Sequence, residues 1–138
     1  FSGVLVESGE SDITATAGYY RVRANTTTLL YTIEPTTWGI VGAATPGGWD
    51  NSTGLTYNSS TQKWEGVVTL TAGEFKFRAN NAWQLDFGLS ANGTLGYANH
   101  PWLAYIDQPQ FTVPQDGNYT ITLDLHEAGN YTYKIKKN

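Results

Sequence analysis

Trp64-Glu65-Gly66-Val67-Val68-Thr69-Leu70-Thr71-Ala72-Gly73-Glu74-Phe75-Lys76-Phe77-Arg78-Ala79 places two alternating runs on either side of a Thr-Ala-Gly break. Successive side chains leave an extended backbone on opposite faces, so a period of two marks a half-buried strand. Trp64, Gly66, Val68 and Leu70 share one face of the first run, which makes Trp64 a core residue. Phe75, Phe77 and Ala79 share one face of the second, and Glu74, Lys76 and Arg78 share the other. The Phe side is expected in the core, and the Lys76/Arg78 side is solvent or a site. The break at 71–73 reads as the turn of a hairpin.

The same pattern recurs on both sides of this stretch. Residues 19–25 alternate, Leu29, Tyr31 and Ile33 oppose Leu30, Thr32 and Glu34, and a turn at 25–27 joins the two runs. Tyr119, Ile121, Leu123 and Leu125 oppose Thr120, Thr122 and Asp124, and residues 127–130 turn the chain into Tyr131, Tyr133 and Ile135. Three hairpin-like units in succession predict an all-β fold, an antiparallel β-sandwich. No stretch sustains a helical period, so helix should be scarce. No linker or compositional break divides the sequence, and its 138 residues are expected to form a single domain, 1–138, large enough to bury a core without staples.

Composition narrows the function classes. Twelve acidic and eight basic residues give a net charge of −4, which disfavours nucleic acid unless the cations cluster. The one such run, Lys134, Lys136 and Lys137, reads as a solvated face. Without Cys or Met there are no disulfides or thiolate metal sites. No apolar run approaches a transmembrane helix, and no charged-then-apolar signal segment stands at Phe1. The sequence therefore reads as beginning within a longer protein. Its few charges and many Thr, Asn, Gly, Tyr and Trp suit an extracellular or cell-surface module.

The chemistry-bearing segments are 38–50, with Trp38 and Trp49, and 74–83, with Lys76, Arg78 and Trp83. A pyranose has an apolar C–H face and a rim of hydroxyls, so it is recognised by stacking on Trp or Tyr together with Arg, Lys, Asn or Asp donors and acceptors. Trp49, flanked by Gly48 and Asp50 in the irregular segment 46–58, is the better platform. Trp38 either caps the core or touches sugar, and Trp83 either stacks a second sugar or closes the end of the sandwich. Lys76 and Arg78 either bond a ligand or pair with Glu65 or Glu74. A second irregular segment, 88–110, crowds Tyr97, Trp102 and Tyr105 around His100 and Pro101, as a binding surface or as a plug.

Four motifs in order, W-G-I-V-G-A-A-T-P-G-G-W-D (38–50), W-E-G-V-V-T-L-T-A-G-E-F-K-F-R-A-N-N-A-W-Q-L-D-F-G (64–88), G-N-Y-T-I-T-L-D-L (117–125) and Y-T-Y-K-I (131–135), resemble the SusE/SusF family of surface starch-binding lipoproteins. The repeated domains of that family are in turn similar to the X25 modules of some pullulanases. The resemblance runs from about 19 to 135, with A-G-Y-Y-R-V-R-A-N (17–25) as the strand preceding Trp38. It implies an immunoglobulin-like β-sandwich on the outer face of a Gram-negative outer membrane that binds α-glucan without cutting it. Membrane association would come through a lipid anchor or a neighbouring domain, beside companion glycan-uptake proteins. The family's site maps onto Trp38 or Trp49 as platform, Lys76 or Arg78 as cation and Asn99 as the amide for the glucose 2- and 3-hydroxyls. Residues 101–111 are longer and more aromatic than the family pattern.

The competing classes are an adhesive or scaffolding sandwich that meets a protein partner or another polysaccharide and, behind it, an enzyme. Glycoside hydrolysis needs two carboxylates roughly 5–10 Å apart across a cleft, and Glu65, Glu74, Asp86, Asp107 and Asp124 carry no local motif. His100 and His126 are separated and lack a nucleophile context. No cofactor is implied. Asp50, Asn51 and a backbone carbonyl are compatible with a structural Ca²⁺ and do not require one.

Overall fold

The structure is a computed structural model that describes residues 1–98 and 106–138. It divides into two compact units, Phe1–Thr37 and Trp38–Asn138.

The first unit is a three-stranded antiparallel sheet of β1 (Ser2–Val4), β2 (Tyr20–Asn25) and β3 (Leu30–Pro35), in the order β1-β3-β2. The expected hairpin is present, running in register from Tyr20↔Pro35 to Asn25↔Leu30. Its turn is held by the side-chain Oδ1 of Asn25, which accepts from the backbone N–H groups of Thr27 and Thr28, as Asn commonly does at turns. β1 pairs with β3 in the register Ser2↔Thr32, a strand that its short alternation does not announce.

The second unit holds β4 (Trp38–Val41), β5 (Thr53–Gly54), β6 (Thr56–Asn58), β7 (Lys63–Leu70), β8 (Gly73–Ala79), β9 (Asp86–Leu89), β10 (Leu95–Tyr97), β11 (Phe111–Val113), β12 (Gly117–Asp124) and β13 (Thr132–Lys137). Two antiparallel sheets form, β10-β9-β8-β4-β5 with β11 also on β8, and β13-β12-β7-β6. No helix occurs among the described residues, and the two sheets pack as a sandwich. Short strands β5, β6 and β10 lie within the segments expected to be irregular.

The expected hairpin at 64–79 is absent. β7 and β8 do not form a hairpin, because β7 pairs with β12 and β6 while β8 pairs with β4, β9 and β11. Residues 71–72 carry the chain from one sheet to the other. Both strands have an apolar face, and each turns it into the core from its own sheet. The crossing is pinned by Thr71 N–H on the Ala44 carbonyl, Ala44 N–H on the Glu74 carbonyl, and Ala72 N–H on the Asp116 carboxylate.

The core follows from the alternation. Phe75, Phe77 and Phe111 are fully buried, with Ile40 and Phe87 from the same sheet and Trp64, Val68, Leu70, Tyr119, Ile121 and Leu123 from the facing one. Their rings pack closely: Phe75–Phe111 centroids are 5.4 Å apart, Phe77–Phe111 5.3 Å, and Phe111 meets Tyr133 of the opposite sheet at 4.7 Å. Each such side chain contributes about 1.5–3 kcal/mol by burial, and this cluster fixes β8 as the central strand on which the site is built.

Candidate functional site

Directly opposed residues on antiparallel strands share a face. Ala79, opposite Trp38, and Phe77, opposite both Ile40 and Phe87, therefore lie on the core face, whereas Arg78, opposite Gly39 and Asp86, and Lys76, opposite Val41, lie on the outer face. The alternation thus aims both cations away from the core, as expected. They do not reach open solvent, however. Lys76 is 3% and Arg78 2% exposed, because two segments fold over this face of the sheet.

The first cover is the loop between β4 and β5. Gly42 N–H donates to the Gly48 carbonyl, Gly48 N–H to Thr45, and the buried Thr45 hydroxyl to Gly42. Gly48 sits at φ +59, where a side chain is disfavoured. A Cβ on Gly47 would lie 2.1 Å from the Asn51 carbonyl, so only glycine permits this turn. The result is a tightly bonded loop with Trp49 on its outside, 39% exposed.

The second cover is 106–110. Leu89 N–H donates to the Pro109 carbonyl and Ile106 N–H to the Ala98 carbonyl. Gln108 and Pro109 lie against Gly88 and Gly96, where Cβ atoms would clash. Asp107 from this segment pairs with the Lys76 ammonium. Asp86, fully buried, lies 3.9 Å from the same ammonium. The carboxylate partners of Lys76 are therefore Asp86 and Asp107, not Glu65 or Glu74. Glu65 is occupied by Asn58 and Thr61.

Neither carboxylate oxygen of Asp86 accepts a hydrogen bond from the described residues. Burial raises its pKa above the usual aspartate value; Lys76 and Arg78 oppose the rise and Asp107 adds to it. Burial lowers the Arg78 pKa, against the pull of Asp50 and Asp86.

Arg78 reaches two loops through its Nε and Nη2 donors. Its Nε donates to Ser52 Oγ at 2.9 Å, and its Nη2 to the Asp50 carbonyl at 3.1 Å and to Asn81 Oδ1. Asn81, at φ 52, also accepts from Ser52 N–H at 2.7 Å, tying the β4–β5 loop to the β8–β9 loop. Trp83 in the latter lies with its ring centroid 4.7 Å from Arg78 Cζ. Trp83 is 43% exposed and stacks beside Trp49, with centroids 6.2 Å apart and planes inclined by 30°. Exposed Asp50, Asn51, Asn80 and Gln84 flank the two indoles in sequence.

Of the residues singled out from the sequence, the structure brings Trp49, Trp83 and Arg78 together. It places Lys76 beside them in a buried ion-pair cluster. Trp38 lies elsewhere: it is 3% exposed and stacks on Phe87 inside the sandwich, centroids 5.2 Å apart, since its register with Ala79 turns it to the core face. Asn99, Trp102 and Tyr105 lie outside the described residues. The sequence does not single out Asp86, Asp107, Ser52 and Asn81 as partners of the cations. A lone Asp between Leu85 and Phe87, just after a cationic strand, was the one signal available.

A family model described as SusF/SusE starch specific CBMs, carbohydrate-binding modules, matches residues 37–134. The match begins at the boundary between the two units, so the strand at 17–25 precedes it. No curated protein and no solved structure matches the chain.

Proposed function

Because this chain belongs to the SusF/SusE family of starch-specific carbohydrate-binding modules, a non-catalytic class, we propose that it binds α-glucan on the paired indoles of Trp49 and Trp83. The observation that carries this reading is that two large aromatic rings stand side by side at the surface, 6.2 Å apart, over a sheet whose own core already holds ample aromatic area. Exposed indoles are costly to keep in water and are suited to the C–H face of a sugar. The inclination between the rings suits consecutive glucose units of a curved chain better than a flat one. Polar residues near the two indoles in sequence, Asp50, Asn51, Asn80 and Gln84, offer acceptors and donors for the hydroxyl rim.

In this reading Lys76 and Trp38 serve stability. Asn99 remains a proposed amide donor, by resemblance. The family also supports placement at the outward face of a Gram-negative outer membrane, alongside other glycan-uptake proteins, with the polysaccharide as partner.

Affinity electrophoresis tests the reading. The protein should be retarded in gels containing starch or glycogen and should run unretarded in dextran, xylan or empty gels. Equal mobility in all of them would sink it in favour of a surface that meets a protein.

A further inference from the structure

We propose that Arg78 is a positioning residue, which holds the two loops bearing Trp49 and Trp83 as one platform instead of donating to the sugar. This rests on the platform reading above. At 2% exposure the guanidinium has no path to a ligand on the far side of the indoles. Its Nε and Nη2 donors are directed at the Ser52 hydroxyl and Asp50 carbonyl on one loop and at the Asn81 amide oxygen on the other. Asp50 directly follows Trp49, and Asn81 stands two residues before Trp83, so a single side chain fixes the base of both indoles. The Trp83 ring also rests on the guanidinium face. Fixed fork geometry and a flat cationic face are properties of arginine; a lysine ammonium is a point donor that cannot reach three acceptors and support a ring together.

Arg78→Lys tests this, with Ser52→Ala as a second variant that loosens the same network from the loop side. Three measurements are read: thermal unfolding, circular dichroism in the indole region, and retention in starch gels. Two indoles at this separation and inclination interact excitonically and give a paired positive and negative band. Trp49→Phe and Trp83→Phe should each abolish that band, which assigns it. Arg78→Lys is expected to fold, lose the paired band, and bind starch about tenfold more weakly. Ser52→Ala should shift both in the same direction by less.

A direct sugar donor behaves otherwise, losing retention while the band is intact, and that result overturns the proposal. An unchanged band with unchanged retention also overturns it. Should Arg78→Lys fail to fold, Ser52→Ala decides: an unaltered band there counts against positioning. If the parent protein is retained by no glucan yet Arg78→Lys still abolishes the band, the platform reading fails while the positioning of the indole pair by Arg78 stands.

Discussion

The guanidinium carbon of Arg78 lies 4.7 Å from the centroid of the Trp83 ring, so a cation directed away from the core ends beneath an exposed indole. Such a contact contributes about 0.5–2 kcal/mol depending on how dry it is. Its larger consequence is geometric, since the same cation grips the loop carrying Trp49.

Stability and binding should separate among the tryptophans. Trp49→Ala and Trp83→Ala should each remove most starch retention, because each stacking contact supplies about 1 kcal/mol or more. Trp49→Ala should change melting temperature little, and Trp83→Ala should lower it only by the loss of its contact with Arg78, about 0.5–2 kcal/mol. The total is itself small, about 4–6 kcal/mol for a site binding in the tens of μM to mM range. Trp38→Ala should do the reverse at first order, lowering stability by about 3–5 kcal/mol through the cavity left against Phe87. Gel mobility and thermal unfolding of the three variants check this.

Starch retention should change little between low and moderate salt. The ligand is neutral, so screening of exposed charges has nothing long-range to weaken, whereas an acidic or basic partner would lose affinity steeply. Isothermal titration with a maltooligosaccharide at two salt concentrations reads the difference.

The buried ion cluster predicts a pH dependence of a definite sign. Asp86 has its pKa raised in the folded state, mainly by burial, so the folded protein binds that proton more tightly than the unfolded chain. Its ionisation therefore lowers stability as pH rises from the usual aspartate value through the higher folded value. Asp86→Asn should remove this fall, seen in melting temperature against pH. Lys76→Ala should destabilise by about 3–5 kcal/mol near neutral pH, since it leaves a buried carboxylate without its nearest cation.

Asp124 titrates in the opposite sense. Burial would raise its pKa, but hydrogen bonds from the His126 side chain and backbone and from Lys63 outweigh this and lower it. Its contribution is present above the usual aspartate value and is lost as pH falls through the lower folded value. Asp124→Asn should therefore flatten the acid limb of the melting curve. The Lys63 contact, at 3.2 Å with the lysine partly exposed, is worth no more than about 1 kcal/mol, which Lys63→Ala should show.

Much of the sandwich was legible because burial writes itself into alternation. Phe75 and Phe77 against Lys76 and Arg78 set the two faces of β8, and Tyr119, Ile121 and Leu123 set the core face of β12. The Asn25 and Gly129 turns gave two of the three hairpins, since their conformations are decided within a few residues. The third failed for a physical reason. Backbone hydrogen-bonding edges are alike in every residue, so a short turn between two alternating runs does not reveal whether they pair or face one another across the core.

The sequence by itself determined the all-β class, the apolar faces of the long strands β7, β8 and β12, and the residue types suited to a sugar, because these depend on local period and side-chain chemistry. Only the tertiary structure decided that Trp38 lies inside while Trp49 and Trp83 meet outside, and that Lys76 and Arg78 are roofed over. Those outcomes depend on where loops distant in sequence come to rest. Here that is settled by glycines that allow close backbone approach at Gly47, Gly88 and Gly96 and by a buried arginine whose acceptors sit on two separate loops.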